Sequence, residues 1–263
     1  MSSAEHRPSE PVRELLTRNY VSFTQPAGEQ VRFLATPSPT VTVIVNTAAA
    51  FGGLPGTFVA GLSDAAEVVD QSGAIECIDL KLTPLGAYTL LGVPMSELTN
   101  RVTDLGDVLG PDTPRLTERL ANTGGWAARF ALLDAFLTAR ADAGPRPARE
   151  VSWAWQRLVA TCGAVPVGDL AAEVGWSRRH LVTRFHQQVG LPPKTAARVI
   201  RFEHLLRRFA GTPAGRWSRI AAECGYYDQA HMIRDFREFA GTTPTDYLSR
   251  QVTSVQYPWV SAE

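Results

Sequence analysis

Residues 170–193 read LAAEVGWSRRHLVTRFHQQVGLPP, and fifty residues later 220–244 read IAAECGYYDQAHMIRDFREFAGTTP. With one extra residue admitted before Asp228, the pairs Ala171/Ala221, Ala172/Ala222, Glu173/Glu223, Gly175/Gly225, His180/His231, Phe185/Phe236, Gly190/Gly241 and Pro193/Pro244 are identical. Leu170/Ile220, Trp176/Tyr226 and Leu181/Met232 correspond in character. Shared glycines, prolines and apolar positions in register mean that one supersecondary unit is built twice.

Each copy has a short helix with a small residue on its inner face, a Gly turn four residues later, and a second, longer helix. Two helices that cross closely leave no room for a side chain larger than Ala at 171 and 221, and the reversal at 175 and 225 suits Gly. The apolar pairs Leu181/Phe185 and Met232/Phe236, spaced i and i+4, pin the second helix to a core. This is the pattern of a helix-turn-helix, whose second helix offers its outer face to the DNA major groove. Ser177 and Asp228 stand where N-caps belong. Helices are predicted at 151–162, 167–174, 178–189, 193–209, 217–224, 229–240 and 244–250.

The stretch 151–250 resembles the DNA-binding domain of the AraC/XylS family of bacterial transcription regulators, carried by Ile220, Ala221, Gly225, Tyr226, His231, Phe236, Arg237, Gly241, Pro244 and the terminal TPTDYL. The resemblance implies two helix-turn-helix units joined by a linker helix, double-stranded DNA as partner, and RNA polymerase as a further partner if the protein activates. It also implies an N-terminal β-rich domain that binds a small-molecule effector or forms a homodimer. Independently, a linker helix over 193–209 would span roughly 25 Å at 1.5 Å per residue. That length suits two recognition helices about one DNA turn apart.

Positions rotated away from the core residues are the candidate readers: Arg178, Arg179, Val182 and Thr183 in the first copy, Gln229, Ala230, His231 and Arg234 in the second. Arg179 and Arg234 suit guanine, Gln229 adenine, and Val182 or the Thr183 methyl a thymine methyl. Lys194, Arg201 and Arg216 are candidate phosphate contacts, which add salt-dependent affinity without sequence information. His180 and His231 sit in separate copies and do not make a metal site; no metal, cofactor or catalytic group is expected.

Charge divides along the chain. Residues 1–150 hold 12 Lys+Arg against 17 Asp+Glu, a net of −5, whereas 151–250 hold 14 against 8, a net of +6. The basic half is the half with the repeat, as a polyanion-binding module attached to another function would be. Cys77, Cys162 and Cys224 lack CxxC spacing and read as buried thiols. The absence of a long apolar run and of a signal-peptide core points to a cytoplasmic protein with no membrane partner.

The expected fold class is α+β, with a small β-rich N-terminal domain, barrel or cupin-like, a helical connector, and an all-α C-terminal tandem helix-turn-helix. The division is a disordered tail at 1–14, the β-rich domain at 15–140, a Pro/Gly-containing linker at 141–150, the DNA-binding domain at 151–250 and a tail at 251–263. Strand-like runs occur at 20–23, 31–35, 41–46, 57–61, 66–70 and 74–82. Trp126, Phe130, Leu133 and Leu137 form one face of a helix expected to pack on its own sheet rather than against a second copy. Phe23, Phe33, Phe51 and Phe58 read as barrel core rather than pocket lining, and Glu76 and Asp79 as rim charges. Two rival functions are an alkylation-repair-like enzyme using the same DNA-binding unit, which would need a reactive Cys and zinc-ligating cysteines, and an interaction protein that no longer binds DNA.

Overall fold

The structure is a computed structural model that describes residues 2–26, 30–47, 55–72, 74–209 and 217–253. Its N-terminal half contains strands β1 (Ser2–His6), β2 (Tyr20–Gln25), β3 (Gln30–Ala35), β4 (Val41–Asn46), β5 (Phe58–Ala60), β6 (Glu67–Ser72), β7 (Ile75–Leu82) and β8 (Val102–Asp104). Six of them form an antiparallel sheet in the order β1-β2-β7-β4-β5-β8, while β3 and β6 make a separate two-stranded ribbon. The sheet is open, with β1 and β8 at opposite edges, which corrects the barrel or cupin-like expectation.

The reason lies in what covers the sheet. Residues alternate across a strand, so β4 and β7 turn Val43, Val45, Ile78, Leu80 and Leu82 to one face. Helices α1 (Glu10–Arg13), α2 (Pro84–Leu91), α3 (Leu105–Leu109), α4 (Asp112–Ala121) and α5 (Trp126–Ala143) supply the rest of that core, through Leu90, Leu105, Leu116, Leu133 and Leu137. A helical layer therefore takes the place of a closing second sheet. The void left beneath these helices is about 20 Å³, room for a single water. On the other face Phe23, Ile44, Phe58, Ile75 and Cys77 form a second, smaller cluster, so two of the four aromatic residues expected in the core are there; Phe51 lies outside the described residues.

Two further expectations change. Asp79 is buried rather than at a rim, paired with Arg18 and 3.6 Å from the Lys81 ammonium, and Glu76 pairs with Arg129 of α5. Residues 2–14 are ordered elements and not the expected disordered tail: β1 pairs with β2 over Ser2–His6, and Val12 of α1 is fully buried. Its polar sequence conceals this because polar contacts hold it. The His6 ring stacks on Phe130 at 5.1 Å. The Asp134 carboxylate on α5 accepts from the Ser9 N–H and the Tyr20 hydroxyl, each at 3.0 Å. Burial and that carboxylate push the Tyr20 phenol well above its ordinary pKa, so it stays a donor.

The C-terminal half is helical: α6 (Arg149–Ala160), α7 (Val167–Glu173), α8 (Arg178–Val189), α9 (Pro193–Phe209), α10 (Trp217–Glu223), α11 (Gln229–Ala240) and α12 (Pro244–Thr253). The core does not stop between the halves. The far end of α8 packs on α2 and on the 3-10 turn Met95–Glu97. There Thr99 Oγ1 donates to the Gly190 carbonyl, and across the connecting segment the Ala148 N–H donates to Gln188 Oε1 at 2.9 Å.

Replacing Asp134 with Ala should cost about 1–3 kcal/mol by orphaning two donors. Amide hydrogen exchange should rise in β1 and α1 while β7 stays protected; unchanged exchange at Ser2–Val12 would contradict the role given to this carboxylate.

Candidate nucleic-acid interface

The two copies of the repeat fold as two helix pairs of the same shape, α7–α8 and α10–α11. Gly175 and Gly225 take φ of +70° and +75° at the reversal, a region open to Gly at little cost. Ala171 and Ala221 on the first helices are buried, as are Leu181, Phe185, Met232 and Phe236 on the second. Both second helices are capped by side chains: Ser177 Oγ accepts from His180 N at 3.2 Å, and Asp228 Oδ1 from His231 N at 2.6 Å.

Helix α9 lies between the pairs and buries Ala196, Val199, Ile200, Phe202, Leu205 and Phe209. Its polar side grips the second pair through Arg198, a residue absent from the candidate contacts. One guanidinium nitrogen donates to Glu238 Oε1 and the other to Asp235 Oδ1, both at 2.9 Å, and the group sits 4.8 Å over the Phe239 ring. The hydrogen bond from Arg198 holds the Glu238 carboxyl below its usual range, and the same contact raises Arg198 further. The signal was present in Asp235 and Glu238, acids three apart on a helix whose inner face is otherwise apolar.

With the cores inward, the candidate readers lie outward. Arg178, Arg179, Thr183, Gln229, Ala230 and Arg234 are exposed and Val182 half-buried. Arg178, Arg179 and Arg234 make no ion pair among the described residues. The Thr183 hydroxyl donates to the Arg179 carbonyl at 3.0 Å. His231 is placed differently. Its ring meets Tyr226 edge-on at 5.3 Å, and Nδ1 accepts from the Tyr227 N–H at 3.4 Å. His180 meets Trp176 in the same way at 4.4 Å. The repeated histidine thus braces the turn aromatic in each copy.

Of the candidate phosphate contacts, Lys194 is exposed at the start of α9. Arg201 turns inward instead, donating to the Gly163 carbonyl at 2.8 Å and lying 5.5 Å over the Tyr226 ring. Tyr226 is buried, offers an apolar face to the guanidinium, and keeps its phenol protonated through burial. Arg216 lies outside the described residues. Arg208 and Arg219 both pair with Glu223, and Arg207 with Glu203, so part of the positive charge near the linker is already neutralised.

Burial pushes the Cys224 thiol up to about 11 and raises Cys77 further. Among the described residues no group of three or more His, Cys, Asp or Glu is placed to hold a metal ion. No helix among them is long and apolar enough to cross a membrane.

The second half thus contains two capped helix pairs of like geometry, which present guanidiniums that make no ion pair among the described residues. Residues 170–250 match the family described as "Helix-turn-helix domain". Residues 4–104 match a family described as a domain of unknown function (DUF6597). No curated protein matches the chain. Among solved structures, ToxT from Vibrio cholerae is similar with a TM-score of 0.47 at 10% identity, over 88% of this chain and 97% of that one. Another ToxT structure from Vibrio cholerae, with unsaturated fatty acid bound, gives 0.41 at 12% identity, over 90% and 96%. The C-terminal domain of AraT, a response regulator from Geobacillus stearothermophilus, gives 0.37 at 18% identity, over 45% and 97%.

If Arg198 fixes the second pair on α9, Arg198→Ala should cost about 2–3 kcal/mol, because the Asp235 carboxylate is buried and would lose its charged donor. Hydrogen exchange should quicken in α11 while α8 is unaffected; equal loosening of both pairs would count against a local clamp.

Proposed function

We propose that this chain is a sequence-specific transcription regulator in which α8 and α11 each enter a major groove, on one face of the duplex, and read different half-sequences. The observation that carries this reading is the row of exposed guanidiniums, Arg178, Arg179 and Arg234, on the outward faces of two helices in the basic half. A guanidinium without a protein partner suits bidentate contact with guanine. Gln229 suits adenine and the Thr183 methyl suits thymine. Val182 and Ala230 complete the two apolar surfaces, while His231 positions the turn. Lys194 is a phosphate contact in this reading; Arg201 acts from within the domain.

The full-length protein should enrich a defined motif from a random-sequence duplex library, and its affinity should fall steeply with salt. Failure to enrich any sequence would overturn the reading and favour an interaction protein. On the enriched duplex, Arg234→Ala should cost about 1–3 kcal/mol and relax preference at one base position. A uniform loss across all sequences would make Arg234 a phosphate contact instead.

For the N-terminal half we propose a sensing role over a purely dimerising one. A groove of about 470 Å³ lies against the interdomain contact, lined by Ser96, Glu97, Thr99, Arg101, Thr103 and Asp107 among others. Its volume is in the range of small-molecule sites, and Thr99 is the residue that donates to Gly190. A polar metabolite seated there would act on the segment that holds α8. Screening polar metabolites should reveal one that raises the melting temperature through binding linkage and changes DNA affinity in the wild type but not in Thr99→Ala. A ligand that shifts stability while leaving DNA affinity unchanged would argue against this coupling.

A further inference from the structure

The second copy of the repeat differs from the first by one inserted residue, and that residue is Tyr227. It is 93% exposed, an unusual state for a large aromatic side chain. The insertion falls between Tyr226, buried as the counterpart of Trp176, and the cap Asp228. Its effect on the backbone is local. Ser177 caps α8 with φ −65° and ψ 147°, whereas Asp228 caps α11 with φ −154° and ψ 175°. Both caps are extended and bond the N–H three residues on, so the helix start is kept, and the exposed phenol stands at the leading end of α11.

The structure also fixes this display. The Tyr227 N–H donates to His231 Nδ1, and the His231 ring rests on Tyr226. The side chain is exposed while its backbone N–H is held by His231.

The same end of the first copy is equipped differently. Arg178 and Arg179 begin α8, both exposed and without an ion pair among the described residues. Their counterparts in α11 are Gln229 and Ala230, and the cap beside them carries the negative Asp228. The leading end of α11 thus has no cation in its first turn with which to anchor on a phosphate. Tyr227 supplies a neutral hydroxyl donor at that end, and a neutral donor tolerates the adjacent carboxylate.

We infer that Tyr227 is a DNA-contacting residue of the second helix pair, whose hydroxyl donates a hydrogen bond to a backbone phosphate flanking the groove read by α11. This rests on the DNA-reading function proposed above. It adds an anchor that fixes α11 in register and carries no base information itself. An exposed neutral donor differs from Lys or Arg in one measurable respect: it strengthens binding without displacing a counterion. Its loss should lower affinity but leave the salt dependence as it was.

The test compares the full-length wild type with Tyr227→Phe and Tyr227→Ala, by fluorescence anisotropy over a salt series. The probes are the library-enriched duplex and an unrelated duplex of the same length. Both variants should keep the wild-type melting temperature, since the side chain is exposed. Both should bind about tenfold more weakly, as expected for a lost hydrogen bond to a charged group. The loss should be similar on the two duplexes, with an unchanged slope of log K against log salt. Wild-type affinity in Tyr227→Phe would overturn the inference, and a loss confined to Tyr227→Ala would mean that the ring packs on DNA while the hydroxyl is idle. A loss on the enriched duplex alone would make Tyr227 a base reader and equally overturn the phosphate assignment. If the wild type enriches no sequence, it is the DNA-reading function that fails, an outcome distinct from these.

Discussion

The architecture of the basic half depends on the burial of one helix between two others. Helix α9 hides apolar residues along nearly its whole length, from Ala196 to Phe209, and both α8 and α11 are positioned by reference to it. A second helix pair tethered by a flexible strand would have to lose orientational freedom on meeting DNA, and that loss would subtract from affinity. Packing Phe236 and Phe239 against Phe202 at 5.3 Å each, and closing the contact with Arg198, settles the orientation during folding instead. The apolar contacts supply the stabilisation. The bonds from Arg198 to Asp235 and Glu238 supply direction, since such bonds tolerate little rotation of α11 about its axis.

Much of this was legible in the sequence because the repeat is written in residues whose physical demands are narrow. Gly at the reversal, Ala at the crossing, and the apolar pair on the second helix each admit few substitutes, and helices α7 to α11 follow the predicted spans closely. The six β-rich runs likewise became strands, since alternation of Val and Ile with polar residues is a local signal. What escaped was held by partners remote in sequence. Strand β1 is polar and gained its place from His6 on Phe130 and from Ser9 on Asp134. The open edge of the sheet depended on how many helices would cover one face, which no single strand reveals. Asp79 read as a rim charge because nothing nearby announced Arg18, sixty-one residues away. In the candidate interface the outward faces followed from helical periodicity. The inward turns of Arg201 and His231 did not, because they depend on the Gly163 carbonyl and on the edge of Tyr226.

The duplication also shows how one scaffold is specialised twice. Core positions are shared, and the outward positions diverge: two arginines open α8, whereas Gln229, Ala230 and a later Arg234 serve α11. Divergence reaches inside as well. Gln188 in the first copy corresponds to Phe239 in the second. Phe239 lies under Arg198 and faces α9, while Gln188 is buried with its amide oxygen accepting from Ala148 at the join between the halves. The same structural position has become an apolar anchor in one copy and a polar link to the rest of the chain in the other.

That link makes residues 141–150 a boundary of composition without being a boundary of packing. The far end of α8 sits on the Met95–Glu97 turn and on α2, with the Gly190 carbonyl held by Thr99. The first helix pair therefore belongs energetically to the acidic half as much as to the basic one. Cutting the chain at its most linker-like segment would divide a shared core. The first pair and the sheet should accordingly unfold in one cooperative step, so that for this molecule the unit of stability and the unit of sequence do not coincide.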